Sequence, residues 1–186
     1  MSGTDDLAYL SFVEAAARIR EGSLSPVEYC EAMLARIESL DEKLNAFLCL
    51  TRESALEGAK AAERAVAQGE TLGPMHGVPF ALKDIIDVEG LKTTAHSKLL
   101  ADNVAAADAV VTARIKAAGG ILLGKLSTHE FAYGGPCFDL PWPPARNPWD
   151  RRMFPGGSSS GSGAAVAAGF VPAALGTDTV SYTHLT

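Results

Sequence analysis

At 186 residues the chain is long enough for one domain with a real core, or for one domain and part of another. Its 47% hydrophobic and 20% charged residues exclude a disordered chain, and no apolar run approaches the ~20 residues of a membrane span. A formal charge of −6 with scattered Lys and Arg argues against a direct nucleic-acid patch. Cys30, Cys49 and Cys137 form no C-x-x-C pair and leave an odd count, which points to a reducing compartment. The opening MSGTDDLAYL carries two acids where a signal peptide carries bases, so a soluble cytoplasmic protein is expected.

The first 70 residues read as helices. In SLSPVEYCEAMLARIESL, Val27, Cys30, Leu34 and Ile37 recur at spacings of three and four, one face of a helix. Ser25 before Pro26, with Glu28 three residues on, forms a capping box with proline at the first helical position. A second helix, SALEGAKAAERAVAQG, closes at Gly69. GVPFALKDIIDVEG alternates Val78, Phe80 and Leu82 against Pro79, Ala81 and Lys83, which predicts a strand with proline near its start. DAVVTARIKAAGG predicts a helix capped by Asp108 and closed by Gly119, and ILLGKL a short strand directly after it. STHEFAYGG predicts a short helix, and CFDLPWPPARNPWDRRMFP a proline-rich irregular stretch. Helix-to-strand succession is the texture of an α/β domain.

The stretch PGGSSSGSGAAVAAG, residues 155–169, admits several readings. A flexible linker joins solvated segments, whereas this loop runs into small apolar residues suited to a buried helix. A phosphate-binding P-loop requires a lysine after the glycines, and none follows. Gly157 to Gly161 match the G-x-S-x-G nucleophile elbow, with Ser159 as nucleophile and Asp178 and His184 as partners, but RRMFP is a poor preceding strand. The remaining reading is a serine hydrolase whose base is a lysine.

GPMHGVPFALKDIIDVEGLKTTAHSKLL, AAGGILLGKLSTHEFAYG, ARNPWD, PGGSSSGSGAAVAAG and ALGTDT stand in the order and spacing of the amidase-signature family. The chain resembles that family from about Leu7 to Thr179 and covers less than half of a full member. The resemblance implies an α/β fold with a helical start and then a mixed sheet flanked by helices, here its N-terminal, incomplete portion. Residues 1–179 would be the N-terminal part of a single domain.

By the same resemblance Lys83 matches the catalytic lysine, and Ser158 the bridging serine that precedes a cis peptide bond. Gly156 and Gly157 belong to the catalytic loop, and Ser159 and Asp178 support it by hydrogen bonding. Ser160 departs from the family's usual glycine. The nucleophilic serine belongs three residues beyond Thr179, where Tyr182 stands, and Val180 and Ser181 replace two glycines. Residues 180–186 therefore read as a non-native tail, and the chain as written as inactive.

The implied function is amide hydrolysis by a Ser-Ser-Lys mechanism through an acyl-enzyme, with no metal or organic cofactor. Its substrate is a small amide, and its partners are amidotransferase subunits or a second copy. The alternatives are the glutaminase (A) subunit of a tRNA-dependent amidotransferase, which passes ammonia to a partner, and a truncated decoy or scaffold. A lysine acts as a base only when neutral, and burial among Phe80, Leu82, Ile85 and Ile86 favours that form. Asp84 opposes it only if it shares Lys83's face, which adjacent strand residues do not. Taken alone, the segment fits a solvent-facing lysine better; the resemblance reverses that preference. His76, His96 and His129 lack metal-ligand spacing and read as structural or surface residues. Cys137, Trp142 and Trp149 read as packing.

Overall fold

A computed structural model describes residues 7–178 of the chain. Within these residues the helical start is real but interrupted. Helix α1 (Phe12–Arg20) is capped by Ser11, whose Oγ accepts the Glu14 N–H at 3.2 Å. Helix α2 (Pro26–Leu40) opens on Ser25, whose Oγ accepts the Val27 and Glu28 N–H groups, both at 3.1 Å. The Ser25 hydroxyl itself donates to the Glu63 carboxylate of the next helix. Tyr29, Cys30, Met33, Leu34 and Ile37 are fully buried on α2, so its apolar stripe is the main contribution of the first 40 residues to the core. Each such side chain contributes roughly 1.5–3 kcal/mol by leaving water.

The reading of residues 1–70 as helices alone is corrected by strand β1 (Phe47–Leu50). After α2 the chain turns on Asp41, whose carboxylate accepts the Ala46 and Phe47 N–H groups at 2.8 and 3.1 Å. That turn delivers four residues to a sheet edge, a non-local pairing that local periodicity does not report. Helix α3 (Arg52–Ala67) follows, and Gly69 takes φ +67° just beyond its end, as its position predicts.

The sheet order is β1-β3-β2-β4. Strand β2 (Pro79–Lys83) lies parallel to both β3 (Ile121–Leu126) and β4 (Ala174–Leu175), while β1 runs antiparallel to β3. All five residues of β2 are buried, because a parallel strand inside a sheet has both faces covered. The alternation seen in the sequence therefore separates two buried faces, not a wet face from a dry one. Pro79 opens the strand, where its missing N–H breaks no ladder.

Two further expectations are revised. Helix α4 (Val110–Ala117) is entered through Ala109, and Asp108 does not cap it. The Asp108 carboxylate instead accepts the Glu89 N–H at 2.8 Å and pairs with Lys116 at 2.8 Å, so a distant loop outcompetes the local cap. The predicted helix in STHEFAYGG is a 3-10 turn at Glu130–Ala132, broken by Phe131 and Ala132 at φ 50° and 57°. Its N–H groups serve neighbouring loops: Phe131 N–H donates to Ala95 O at 2.9 Å.

Helix α5 (Ser160–Ala167) carries the small residues of the glycine-serine stretch into the interior, with Ser160, Gly161, Ser162, Ala164 and Ala165 buried. The linker reading is thereby excluded. In the irregular stretch Trp142 packs edge-on against His96 at 5.7 Å, but Trp149 is 87% exposed and packs no core.

The Tyr29 hydroxyl is buried without a hydrogen-bond partner among the described residues, and burial pushes its pKa up to about 12. Tyr29→Phe is expected to raise stability by about 1 kcal/mol, because it removes an unsatisfied group and keeps the ring. Urea unfolding of the two chains checks this; a loss of stability would mean that the hydroxyl has a partner after all.

Candidate active site

Lys83 ends β2 with no solvent exposure, which excludes the solvent-facing alternative. Directly beyond it the chain folds back, with Ile85 and Ile86 N–H groups both donating to Lys83 O at 2.8 and 3.0 Å. The Nζ then sits among three hydroxyls: Ser158 Oγ at 2.6 Å, Thr177 Oγ1 at 2.9 Å and Ser159 Oγ at 3.0 Å. An ammonium has three N–H donors, and these three acceptors satisfy all of them. Burial lowers the Lys83 pKa below 10.5, while the negative charge of Asp178 acts in the opposite direction.

The three hydroxyls are not equivalent. Ser159 Oγ accepts the Thr177 N–H at 3.1 Å and donates to Thr177 O at 3.2 Å, so its proton has a place. Ser158, the closest to the amine, has no such fixed acceptor among the described residues and can turn its proton toward a neutral lysine. Its backbone is held instead: Ser158 O accepts Thr128 Oγ1–H at 2.9 Å and the His129 N–H at 3.0 Å.

The cis peptide bond is Gly157–Ser158, on the N-terminal side of Ser158, not beyond it as the resemblance implies. Gly156 takes φ +90°, in open space. Gly157 lies flat on His129, where an added Cβ would come within 2.0 Å of the imidazole Cε1. That ring is itself fixed, with Nδ1 2.8 Å from Gly134 O.

The fold thus brings together Lys83, Gly157, Ser158 and Ser159, with Asp178 close enough to act on the lysine electrostatically. Ser160 is the first residue of α5 and is buried. The nucleophile-elbow reading fails on structure, because no strand leads directly into Gly157 and Ser159 meets Lys83 where that reading requires a histidine. Thr179, the tail 180–186, Tyr182 at the expected nucleophile position and His184 lie outside the described residues. Sequence reasoning missed Thr177, Thr128 and His129 as partners of the cluster. Thr177 stood in the quoted ALGTDT, one residue before Asp178, and that adjacency was its signal. Thr128, by its hydroxyl, and His129, by its backbone N–H, reach Ser158 O across about thirty residues, which leaves no local signature.

A family model described as amidase matches residues 28–180, which includes every member of the cluster. The chain is 48% identical over 174 residues to the A subunit of the glutamyl-tRNA(Gln) amidotransferase of Streptomyces coelicolor, and 47% identical over 174 residues to that of Moorella thermoacetica. These alignments take in 94% of this chain but only 35% and 36% of the relatives, so the chain spans about 35% of their length. Among solved structures, a bacterial aryl acylamidase of the amidase-signature family matches with a TM-score of 0.82 at 30% identity, over 89% of this chain and 35% of that one. A chain from a vestigial protein complex, described in connection with the origins of an s-triazine catabolic enzyme, matches with a TM-score of 0.87 at 46% identity, over 91% of this chain and 37% of that one. The family model covers most of the chain and the fold agrees with it, so this chain belongs to the amidase family.

Proposed function

We propose that the chain is the N-terminal part, residues 1–179, of a single amidase-signature domain that hydrolyses a small carboxamide through an acyl-enzyme. The observation that carries this reading is the 2.6 Å contact between the buried Lys83 Nζ and Ser158 Oγ. Neutral Lys83 takes the Ser158 proton as Ser158 takes that of a serine nucleophile, so the charge appears on the buried amine. The nucleophile's oxygen bonds to the amide carbon, and the C–N bond breaks. The proton returns through Ser158 to the leaving ammonia or amine, and water then cleaves the acyl ester by the reverse relay. Gly156 and Gly157 shape the loop, Ser159 and Thr177 hold the amine from beneath, and Asp178 limits how far its pKa falls.

The nucleophile in this scheme belongs where Tyr182 stands, and a phenol there is too bulky for the relay. Residues 180–186 are in this reading foreign to the domain, which resequencing the encoding DNA from about codon 170 tests directly.

A second reading, favoured by the 48% and 47% identity to amidotransferase A subunits, makes glutamine the amide and a partner protein the recipient of ammonia. Both readings are tested by joining residues 1–178 to the remaining two thirds of the Streptomyces coelicolor relative and assaying ammonia release. The hybrid is expected to hydrolyse amides, with Ser158→Ala inactive, while the 186-residue chain alone is inactive. A folded hybrid without turnover, or a 186-residue chain with it, would overturn the proposal. Preference for glutamine over simple aliphatic amides would select the second reading.

A further inference from the structure

A second buried lysine lies one strand away from the first. Lys125, on β3, and Asp84, the residue after Lys83, pair at 2.8 Å with both side chains 1% exposed. Lys125 Nζ also donates to Thr93 Oγ1 at 3.0 Å and Lys92 O at 3.2 Å. The other oxygen of Asp84 accepts the Thr94 N–H at 2.9 Å and the Thr94 hydroxyl at 2.5 Å. The Asp84 oxygen that faces Lys125 has no hydrogen bond among the described residues, so the ion pair is its one compensation and removal of either partner would leave a buried charge.

Strand register places this pair relative to Lys83. Leu82 of β2 is opposite Lys125, and Lys83 is opposite Leu126. Successive strand residues face opposite sides, so Lys125 shares a face with Leu82 and lies across the sheet from the Lys83 amine. Asp84 is drawn to that far face by its partner. The same residue anchors the 93–97 segment: Ala95 N–H donates to Asp84 O at 2.9 Å, and Ala95 and His96 are both held at positive φ, 47° and 58°. Ala95 O then accepts the Phe131 N–H, in the same turn whose His129 N–H holds Ser158 O. A continuous chain of bonds thus runs from the pair to the serine beside the amine.

We propose that Lys125 and Asp84 are positioning residues for Lys83: Lys125 holds and neutralises the adjacent carboxylate on the far face of the sheet, so that Lys83 keeps its three hydroxyl partners, with Asp178 and not Asp84 as the carboxylate that acts on it. The two buried lysines are then chemical opposites. Lys125 has a carboxylate beside it, while Lys83 has Ser158, Ser159 and Thr177 and yields its proton more readily than an ordinary lysine. Other titratable groups around the cluster include Cys49, opposite Lys125 on β1 with its thiol pKa raised chiefly by burial, Asp178 beyond β4, His96, bound to Trp142 O and Ser127 Oγ, and His129 beneath Gly157. This inference rests on Lys83 as the base of the proposed hydrolase, but its test reads the amine and not turnover.

The test is the titration of Lys83 in the full chain, followed by NMR of lysine labelled at Cε and Nζ and assigned with Lys83→Arg. Lys125→Met strips the counter-charge from Asp84 and is expected to move the Lys83 titration up by about one pH unit. Asp84→Asn leaves Lys125 as an unpaired cation and is expected to move it down by a similar amount. A merely structural pair would loosen the site in both variants and shift both toward the ordinary lysine value. Shifts of the same sign, or none, overturn the proposal. Should either single variant fail to fold, Lys125→Arg and the neutral double variant Asp84→Asn with Lys125→Met replace it. Both are expected to titrate within about 0.3 unit of the parent, since each leaves no net charge at the pair, and a larger shift overturns the proposal. Unchanged hydrolysis in the hybrid alongside a failed titration would separate this inference from the hydrolase reading.

Discussion

Lys83→Met in the hybrid enzyme is expected to lower kcat/KM for amide hydrolysis by roughly 1,000-fold or more, the scale of a lost base that acts as a unit with its nucleophile. Methionine fills a similar volume but cannot accept the Ser158 proton. Lys83→Arg should be as inactive, because a guanidinium keeps its charge at every accessible pH. In the unsubstituted hybrid, kcat/KM is expected to rise with pH as Lys83 loses its proton. Burial sets that inflection below the 10.5 of an ordinary lysine, with Asp178 limiting the fall. Ammonia release across the pH range reads both effects. More than a tenth of parental activity in Lys83→Met would remove the lysine from the mechanism.

The same lowered value has a consequence for folding. Lys83 binds its proton less tightly in the folded state than in the unfolded chain. The fold therefore gains stability as pH rises through the folded value toward 10.5, and loses it on acidification through that window.

Two glycines of α5, two residues apart, are expected to respond to alanine with opposite signs. At Gly161 an added Cβ would lie 2.4 Å from Ser127 N, 2.6 Å from Ala46 O and 2.7 Å from Ser127 O. All three are backbone atoms, and they are bonded in place: Gly161 N–H donates to Ser127 O at 2.9 Å and Ser127 N–H to Ala46 O at 2.8 Å. No side chain can swing aside, so the helix must retreat and give up its bond to the end of β3. The expected loss is about 3 kcal/mol, which for a chain of this size lowers Tm by roughly 6–12 °C. Ser158 and Ser159 move with the helix, and turnover in the hybrid should fall as well. At Gly163 the nearest atom, Pro155 O, is 3.7 Å away, so alanine fits. Its better helix propensity should raise stability by up to about 1 kcal/mol. Thermal melts of the two variants settle the contrast, and equal effects would contradict the packing described here.

Much of the site was legible in the chain. The motifs from GVPFALKD to ALGTDT marked the family and the α/β texture, and the lysine-serine pair followed only from the resemblance that those motifs carry. The Ser25 cap and Gly69 followed from local chemistry that needs no distant partner. Where the reading failed, a long-range contact had outcompeted a local one. Strand β1 exists because β3 offers it a partner, Asp108 leaves its helix for the Glu89 N–H, and STHEFAYGG gives up helical bonds to serve Ala95 and Ser158.

Residue types and their spacing determined which groups are available for chemistry, because a lysine, a serine and a glycine carry their properties wherever the chain goes. Which of two buried lysines has a carboxylate partner was decided only by tertiary structure. Lys83 and Lys125 look alike in sequence, and Asp84 adjoins the first of them, yet it pairs with the second. The pleat turns successive side chains to opposite faces, and the parallel register sets Lys125 on the far one. Protonation depends on what lies within a few ångströms through space, and that distance does not exist until the sheet has formed.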